Sequence, residues 1–279
     1  MQGIILSKNA NLFTVESGGE LYKLMPSGKT KDSGLYVGDY VEFGESIIKV
    51  LPRKNLLVRP PLANLDRLFI VVCPKPKPDF VLVDKILIYC MLKDIEAYIV
   101  INKSDIVDEE FLKNITKSYE KTAKILKISA KNGDVKAIEE NIKGICALAG
   151  QSAVGKSTII NAIYEDEVAE IGHLSKKIER GKQTTRLVTL YKLKEGYLAD
   201  TAGFSMLDLS IVSDLDYHEL SAYYLDFLEG RAECKYRSCL HESVKDCGVC
   251  AKVKSGEISS LRYQNYLKIL DELKNAKKY

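Results

Sequence analysis

Proline is missing from most of this chain. All seven prolines lie at or before Pro78, so the rigid turns belong to the first part. No apolar run approaches the ~20 residues of a membrane-spanning helix, so no membrane partner is expected. The opening Met1-Gln2-Gly3-Ile4-Ile5-Leu6 has neither a basic stretch nor a long apolar one, so no secretory signal is expected and a cytoplasmic protein is the default. Charge of one sign is also lacking: the net charge is +3 over 279 residues. Global charge therefore does not announce nucleic acid, and local charge has to be examined. A chain of this length holds two domains or three small ones. Hydrophobic residues at 46% and charged residues at 28% are ordinary for a soluble protein, and a monomer is expected.

What is present centres on Gly150-Gln151-Ser152-Ala153-Val154-Gly155-Lys156-Ser157-Thr158. Gly, four residues, Gly, Lys and Ser/Thr is the P-loop spacing. The apolar run Ile145-Cys146-Ala147-Leu148-Ala149 before it reads as a buried strand. Ser157-Thr158-Ile159-Ile160 after it opens a helix. Glycines let the backbone wrap a phosphate, and the loop N–H groups with the helix N-terminus then face the anion. Lys156 is expected to reach the β/γ-phosphates and Ser157 to hold Mg²⁺.

Upstream, residues 1–60 read as an all-β module. Short β-type runs alternate with turn signals such as Gly18-Gly19 and Gly38-Asp39, which suits a small barrel of OB or SH3-like type. Arg53-Lys54 and Arg59-Pro60-Pro61 look like a linker. Residues 61–220 alternate strands and helices, which implies a mostly parallel sheet with ligands at the strand C-termini. Helices are expected over 80–92 and 109–124. Residues 221–279 read as a helical tail around a cysteine cluster, with Ile258, Leu261, Tyr266, Leu267, Leu270 and Leu273 on one packing face.

Two motifs name the base. Asn102-Lys103-Ser104-Asp105 follows a buried strand, and Ser129-Ala130-Lys131 follows the next. Guanine presents two adjacent donors, which the Asp105 carboxylate accepts; adenine would leave that carboxylate facing an acceptor. Lys103 is expected to lay its stem over the base, Asn102 to tie its loop to the P-loop, and Ser129-Ala130-Lys131 to support the base from the other side. Asp200-Thr201-Ala202-Gly203 completes the set. Asp200 is expected to hold Mg²⁺, largely through water, and the Gly203 N–H to sense the γ-phosphate. Thr184 or Thr185 brings a second hydroxyl to the metal, and Thr185 is favoured. Position 204, where small GTPases often carry a water-orienting Gln, is Phe204. Slow hydrolysis completed by a partner is therefore expected, with Gln183 the nearest polar residue in the basic stretch 173–186. The base-reading motifs precede the P-loop, reversing the usual order. That implies a circular permutation, which surface chain ends tolerate.

Of seven cysteines, Cys73, Cys90 and Cys146 sit singly in apolar stretches, whereas Cys234, Cys239, Cys247 and Cys250 crowd together with His241. An odd total without a secretory signal argues for metal rather than disulfides. Three thiolates and an imidazole make a structural zinc site. Spacing alone does not choose between Cys247 and Cys250.

Together these residues resemble the RsgA (YjeQ) family of circularly permuted GTPases, over nearly the whole chain. The likeness rests on Asn102 to Asp105, Gly150 to Thr158, Gly181 to Thr185, Asp200 to Phe204 and the Cys234, Cys239, His241, Cys247 spacing. It implies an OB-fold barrel, a permuted GTPase domain and a helical zinc domain. Cys247 becomes the fourth ligand and Cys250 the extra one. It also implies GTP hydrolysis stimulated by the small ribosomal subunit, contact with its rRNA, and a late role in maturing that subunit. Two positions depart from the family: Ala202 stands where Pro is usual, and Gln183 where a proposed catalytic His is usual. Gln183 can orient a water but cannot act as a general acid or base. Residues 172–194 carry seven Lys/Arg against one acidic residue, and 252–279 seven against three, which fits an RNA partner. The alternative is a GTP-regulated switch with a non-ribosomal protein partner.

Overall fold

The computed structural model describes residues 1–28, 30, 34–171, 188–200, 207, 209, 213–243 and 245–276. Five short strands open the chain: β1 (Gln2–Asn9), β2 (Leu12–Ser17), β3 (Glu20–Leu24), β4 (Tyr40–Phe43) and β5 (Ile47–Val50). Their side chains alternate across the sheet. Phe13, Val15, Val41 and Phe43 are buried, while Leu12 and Tyr40 face outward. β1, β2 and β3 form a meander, and β4 pairs with both β1 and β5. Ile47 of β5 meets Pro26, just past β3, in a parallel bridge. The circuit β1-β2-β3-β5-β4-β1 is a closed five-stranded barrel of OB type. The stretch read as a linker contains a hairpin, β6 (Leu56–Val58) with β7 (Pro61–Ala63). Arg53 in that stretch is no free cation: it makes a bidentate pair with buried Asp39 at 2.6 and 2.9 Å.

The next layer is a six-stranded run in the order β10-β9-β8-β11-β13-β12. Its strands are β8 (Arg67–Val72), β9 (Glu96–Ile101), β10 (Lys124–Lys127), β11 (Gly144–Ala149), β12 (Thr189–Lys192) and β13 (Gly196–Asp200). All are parallel except β12, which runs antiparallel to β13. Such a sheet is buried on both faces. Leu68, Ile70 and Val72 pack on the side of α1 (Phe80–Leu92), while Phe69, Val71 and Cys73 pack with Ile138, Ile159 and Ile163. The latter belong to α3 (Lys136–Glu139) and α4 (Lys156–Ile171). The helix expected over 109–124 stops earlier, as α2 (Glu109–Tyr119). Lys124 to Lys127 are taken up pairing with Tyr98 to Ile101, so the chain must turn before them.

The barrel and this sheet are joined. β1 pairs with β12 at Ser7 and Thr189. Glu16 of β2 accepts hydrogen bonds from Lys192 Nζ at 2.7 Å, Tyr197 Oη at 2.6 Å and the Gly19 N–H at 2.8 Å. Burial alone would raise the Glu16 pKa, but these donors outweigh it and hold it below the ordinary glutamate value.

The tail holds α5 (Leu228–Ala232), α6 (Gly248–Ser255) and α7 (Ser260–Ala276). The cysteine cluster sits largely on the irregular segment between α5 and α6 rather than on helices. α7 packs on α1 through a buried ion pair, Arg262 to Asp84, with Asp226 at 3.3 Å from the same guanidinium. Tyr224 and Tyr119 place their rings 4.4 and 5.0 Å from it.

Candidate nucleotide site and metal centre

The parallel strands end in register, and each end carries a motif. Ala149 is level with Ile70, Val72 with Ile101, and Ile101 with Lys127. Gly150, Asn102 and Ser129 therefore emerge at one edge, with Asp200 at the end of neighbouring β13. That edge, where the crossovers diverge, is where doubly wound sheets bind ligands.

Asn102 joins the three motifs. Its Nδ2 donates to the Val154 carbonyl in the phosphate loop at 2.9 Å, and its Oδ1 accepts from the Ala130 N–H at 3.2 Å. It is 2% exposed, so a side chain unable to make both bonds would leave buried backbone groups unpaired. Gly155 is required beside it: a Cβ there would lie 2.4 Å from Asn102 Nδ2, and its φ is +101°. Lys103 has a left-handed backbone and donates from Nζ to the carbonyls of Lys75 at 2.6 Å and Ala153 at 3.1 Å. Its stem therefore spans from the 102–105 loop to the 150–158 loop. The Ser104 N–H bonds to the Ile128 carbonyl at 3.0 Å, fixing the loop that carries Asp105. The Ser129 hydroxyl donates to Asp105 Oδ1 at 2.7 Å. That bond, helped by a backbone N–H, Lys131 and Lys103, holds the carboxyl below the usual aspartate value, so it is an acceptor at neutral pH.

In the phosphate loop, Lys156 Nζ donates to the carbonyls of Gly150 at 2.6 Å and Gln151 at 2.8 Å, and burial lowers its pKa. Ser152 and Ala153 are exposed on the loop's outer side, and Ser157 and Thr158 lie exposed in the first turn of α4. Gln151 does something its spacing did not suggest. Its Oε1 accepts from the Asp79 N–H at 2.6 Å, and its Nε2 donates to the Lys77 carbonyl at 3.0 Å. Gln183, Thr184, Thr185 and Gly203 lie outside the described residues, as do Ala202 and Phe204.

The metal candidates converge. One ligand atom from each of Cys234, Cys239, His241 and Cys247 lies within 4.8 Å of all the others. Cys234 Sγ and Cys247 Sγ are 3.9 Å apart, and they lie 3.6 and 3.5 Å from His241 Nδ1. A tetrahedral zinc with its usual bond lengths sets S–S edges of about 3.8 Å and N–S edges of about 3.6 Å, so the residues fit that ion. Burial, with Arg231 nearby, pushes the His241 pKa down to about 4, which keeps the imidazole in its neutral, ligating form. Two tyrosines of α7 hold the loop: Tyr263 Oη donates to the His241 carbonyl at 2.7 Å, and Tyr266 Oη to the Leu240 carbonyl at 2.9 Å. Cys250 turns away. Its Sγ lies against the carbonyls of His241 at 3.4 Å and Ser243 at 3.2 Å, and its N–H bonds to Cys247 Sγ at 3.4 Å.

Known proteins share this fold over nearly the whole chain. The family model of the RsgA GTPase matches residues 50–210. A "small ribosomal subunit biogenesis GTPase RsgA" of Thermotoga neapolitana is 38% identical, covering 98% of this chain and 96% of that protein. Its counterpart in Clostridium acetobutylicum is 36% identical over all of both chains. The crystal structure of YjeQ from Thermotoga maritima superposes with a TM-score of 0.80 at 34% identity, covering 98% of each chain. YloQ, described as a circularly permuted GTPase, gives 0.77 at 26% identity, covering 98% of this chain and 95% of the other. With strand order, motif order and full-length likeness in agreement, the chain belongs to the RsgA GTPase family.

Proposed function

We propose that the chain hydrolyses GTP as a factor in late maturation of the small ribosomal subunit, slowly alone and faster on that subunit. The observation that carries it is Asn102, which ties the base-reading loop, the Ser129-Ala130-Lys131 loop and the phosphate loop into one site. Asp105 accepts from the two guanine donors, with Ser104, Ser129, Ala130 and Lys131 framing the base. Lys103 lies along the base plane. The N–H groups from Gly150 to Gly155, with those of Lys156, Ser157 and Thr158 at the start of α4, surround the phosphates. Lys156 moves from the carbonyls of Gly150 and Gln151 to phosphate oxygens. Ser157, Asp200 and Thr185 are the residues that would hold Mg²⁺, which would supply positive charge against the phosphates. Gly203 reads the γ-phosphate, Thr185 supports the metal, and Gln183 orients the attacking water in place of an acid–base group.

Cys234, Cys239, His241 and Cys247 bind one structural zinc. The organisation is a barrel over residues 1–60, a GTPase unit over 61–220 and a zinc-bearing tail over 221–279. The relatives, small ribosomal subunit biogenesis GTPases by name, supply the partner class. The basic stretches at 172–194 and 252–279 suit its rRNA. The reading is completed by a cytoplasmic monomer with no membrane partner; among the described residues no helix is long and apolar enough to cross a membrane.

The test is GTP turnover with and without purified small subunits across a salt series. Turnover well below ~1 s⁻¹ alone, rising with subunits and losing that stimulation as salt increases, is expected. Fast turnover alone, or indifference to subunits, overturns the reading and favours a switch with a different protein partner.

A further inference from the structure

The first turn of α1 is held from two sides. From the phosphate loop, Gln151 Oε1 accepts the Asp79 N–H and Gln151 Nε2 donates to the Lys77 carbonyl. From the tail, Asn265 Nδ2 of α7 donates to the Phe80 carbonyl at 3.0 Å. Asp79 and Phe80 are consecutive, so one residue step separates the phosphate loop's grip from the tail's. Asp79 also caps α1, accepting from the Leu82 N–H at 3.0 Å, so moving its backbone moves the helix start. Asn265 is 3% exposed, and its neighbour on the same face, Arg262, pairs with Asp84 one turn into α1. Lys85 and Glu272 add an ion pair at 2.5 Å. Leu207, just beyond the Asp200 to Phe204 segment, lines the same cleft of about 530 Å³ between α1 and α7, together with Asp79, Leu82 and Lys85.

Gln151 also has a reason to move. Its own carbonyl accepts from Lys156 Nζ at 2.8 Å, and phosphate oxygens compete for that ammonium. A phosphate that takes Lys156 removes a donor from the peptide whose side chain grips Asp79. Phosphate binding would thereby favour a second arrangement of the loop, and a two-state element of that kind is what coupling between sites requires.

We propose that Gln151 is a positioning residue that links the phosphate loop, through the Asp79–Phe80 backbone and Asn265, to tail helix α7. Guanine-nucleotide binding and docking of the zinc-bearing tail are thereby coupled. This rests on the nucleotide reading of the site. Coupling is reciprocal, so loosening the tail's grip weakens nucleotide binding by the same factor as the nucleotide tightens the tail.

The experiment is hydrogen–deuterium exchange on the full chain with and without saturating GDP. It uses wild type and Gln151→Met, which keeps side-chain volume but neither hydrogen bond. In wild type, GDP slows exchange in the phosphate loop, the first turn of α1 and α7. In Gln151→Met, the phosphate loop is still protected and the response of α7 is lost. A response of α7 that is equal in both proteins, or absent from wild type, overturns the proposal. Failure of GDP to protect the phosphate loop in wild type overturns the nucleotide reading, and this proposal with it. A second arm measures GDP affinity. Asn265→Leu, far from the phosphates, weakens it roughly two- to tenfold, the worth of one hydrogen bond. Combining it with Gln151→Met adds less than the product of the two effects. Strictly multiplicative effects overturn the link.

Discussion

Replacing Cys247 and Cys250 one at a time by serine separates two thiols that are three residues apart in sequence and opposite in role. Cys247 Sγ stands 3.9 Å from Cys234 Sγ and 3.5 Å from His241 Nδ1, at distances that one tetrahedral zinc would set. Cys250 Sγ instead contacts the carbonyls of His241 and Ser243. Structural zinc sites bind with about 10–16 kcal/mol; spread over four ligands, one is worth about 3 kcal/mol, on the order of a hundredfold in affinity or more. Serine is the informative substitution because Cys247 also caps α6, accepting the Cys250 N–H through its side chain. A serine hydroxyl caps at least as well, so the cap survives and only ligation is lost. At position 250 a hydroxyl can face the same two carbonyls, and the change is about 1 kcal/mol or less. Metal content by plasma mass spectrometry, zinc release to a chromophoric chelator and thermal melting read the difference. Wild type and Cys250→Ser are expected to hold one zinc per chain. Cys247→Ser is expected to release it and melt earlier, with a loosened tail. Retention of zinc by Cys247→Ser together with loss from Cys250→Ser would refute the assignment.

Asp105→Asn turns an acceptor pair into one acceptor and one donor. GTP affinity is expected to fall on the order of ten- to a hundredfold, the loss of a charge-assisted bond, while xanthosine triphosphate gains a partner for its C2 carbonyl. Titration with fluorescent nucleotides checks this, and unchanged GTP binding would remove Asp105 from the base site. Glu16→Gln weakens the joint between barrel and GTPase sheet by about 1–2 kcal/mol, because Lys192 then faces a neutral acceptor. Glu16 has a depressed pKa in the folded chain, so its contribution is present above the unfolded value and is lost as pH falls through the folded one. The gap in denaturation midpoint between the two proteins is therefore full at pH 7 and closes below the ordinary glutamate range; a gap independent of pH would show that the carboxylate is not the cause.

The motifs from which the nucleotide site is proposed stand out in the sequence because each is a contiguous peptide placed at the end of a buried strand. Gly150 to Thr158 and Asn102 to Asp105 announce their chemistry without reference to distant residues. Register then brings the strand ends level, a consequence of parallel pairing rather than of any one residue. The cysteine cluster was legible in composition, but not which four of its five candidate side chains converge. That choice depends on the left-handed backbone of His241, φ +56°, and on the two α7 tyrosines that hold its loop, none of which spacing encodes.

The joints between units were not legible, for a definable reason. Arg262 and Asn265 lie on the buried face of α7 beside Tyr266, Ile269 and Leu270, yet apolar periodicity passes over both because they are polar. Their partners, Asp84 and the Phe80 carbonyl, are 178 and 185 positions away. One local signal existed: Asp84 is the single acid of α1, whose only other charged residue, Lys85, pairs with Glu272, and a buried carboxylate there requires a distant cation. A buried ion pair of this kind adds little net stability against an apolar replacement, because desolvation offsets most of its attraction. What it supplies is orientation. Apolar side chains alone would let α7 slide along α1, whereas Arg262, fixed by Asp84, Asp226 and two aromatic rings, leaves Asn265 opposite the Phe80 carbonyl. Gln151 meets the backbone at Asp79, the preceding residue. The same polar residues that periodicity discounts thus set the tail at a defined place beside the phosphate loop.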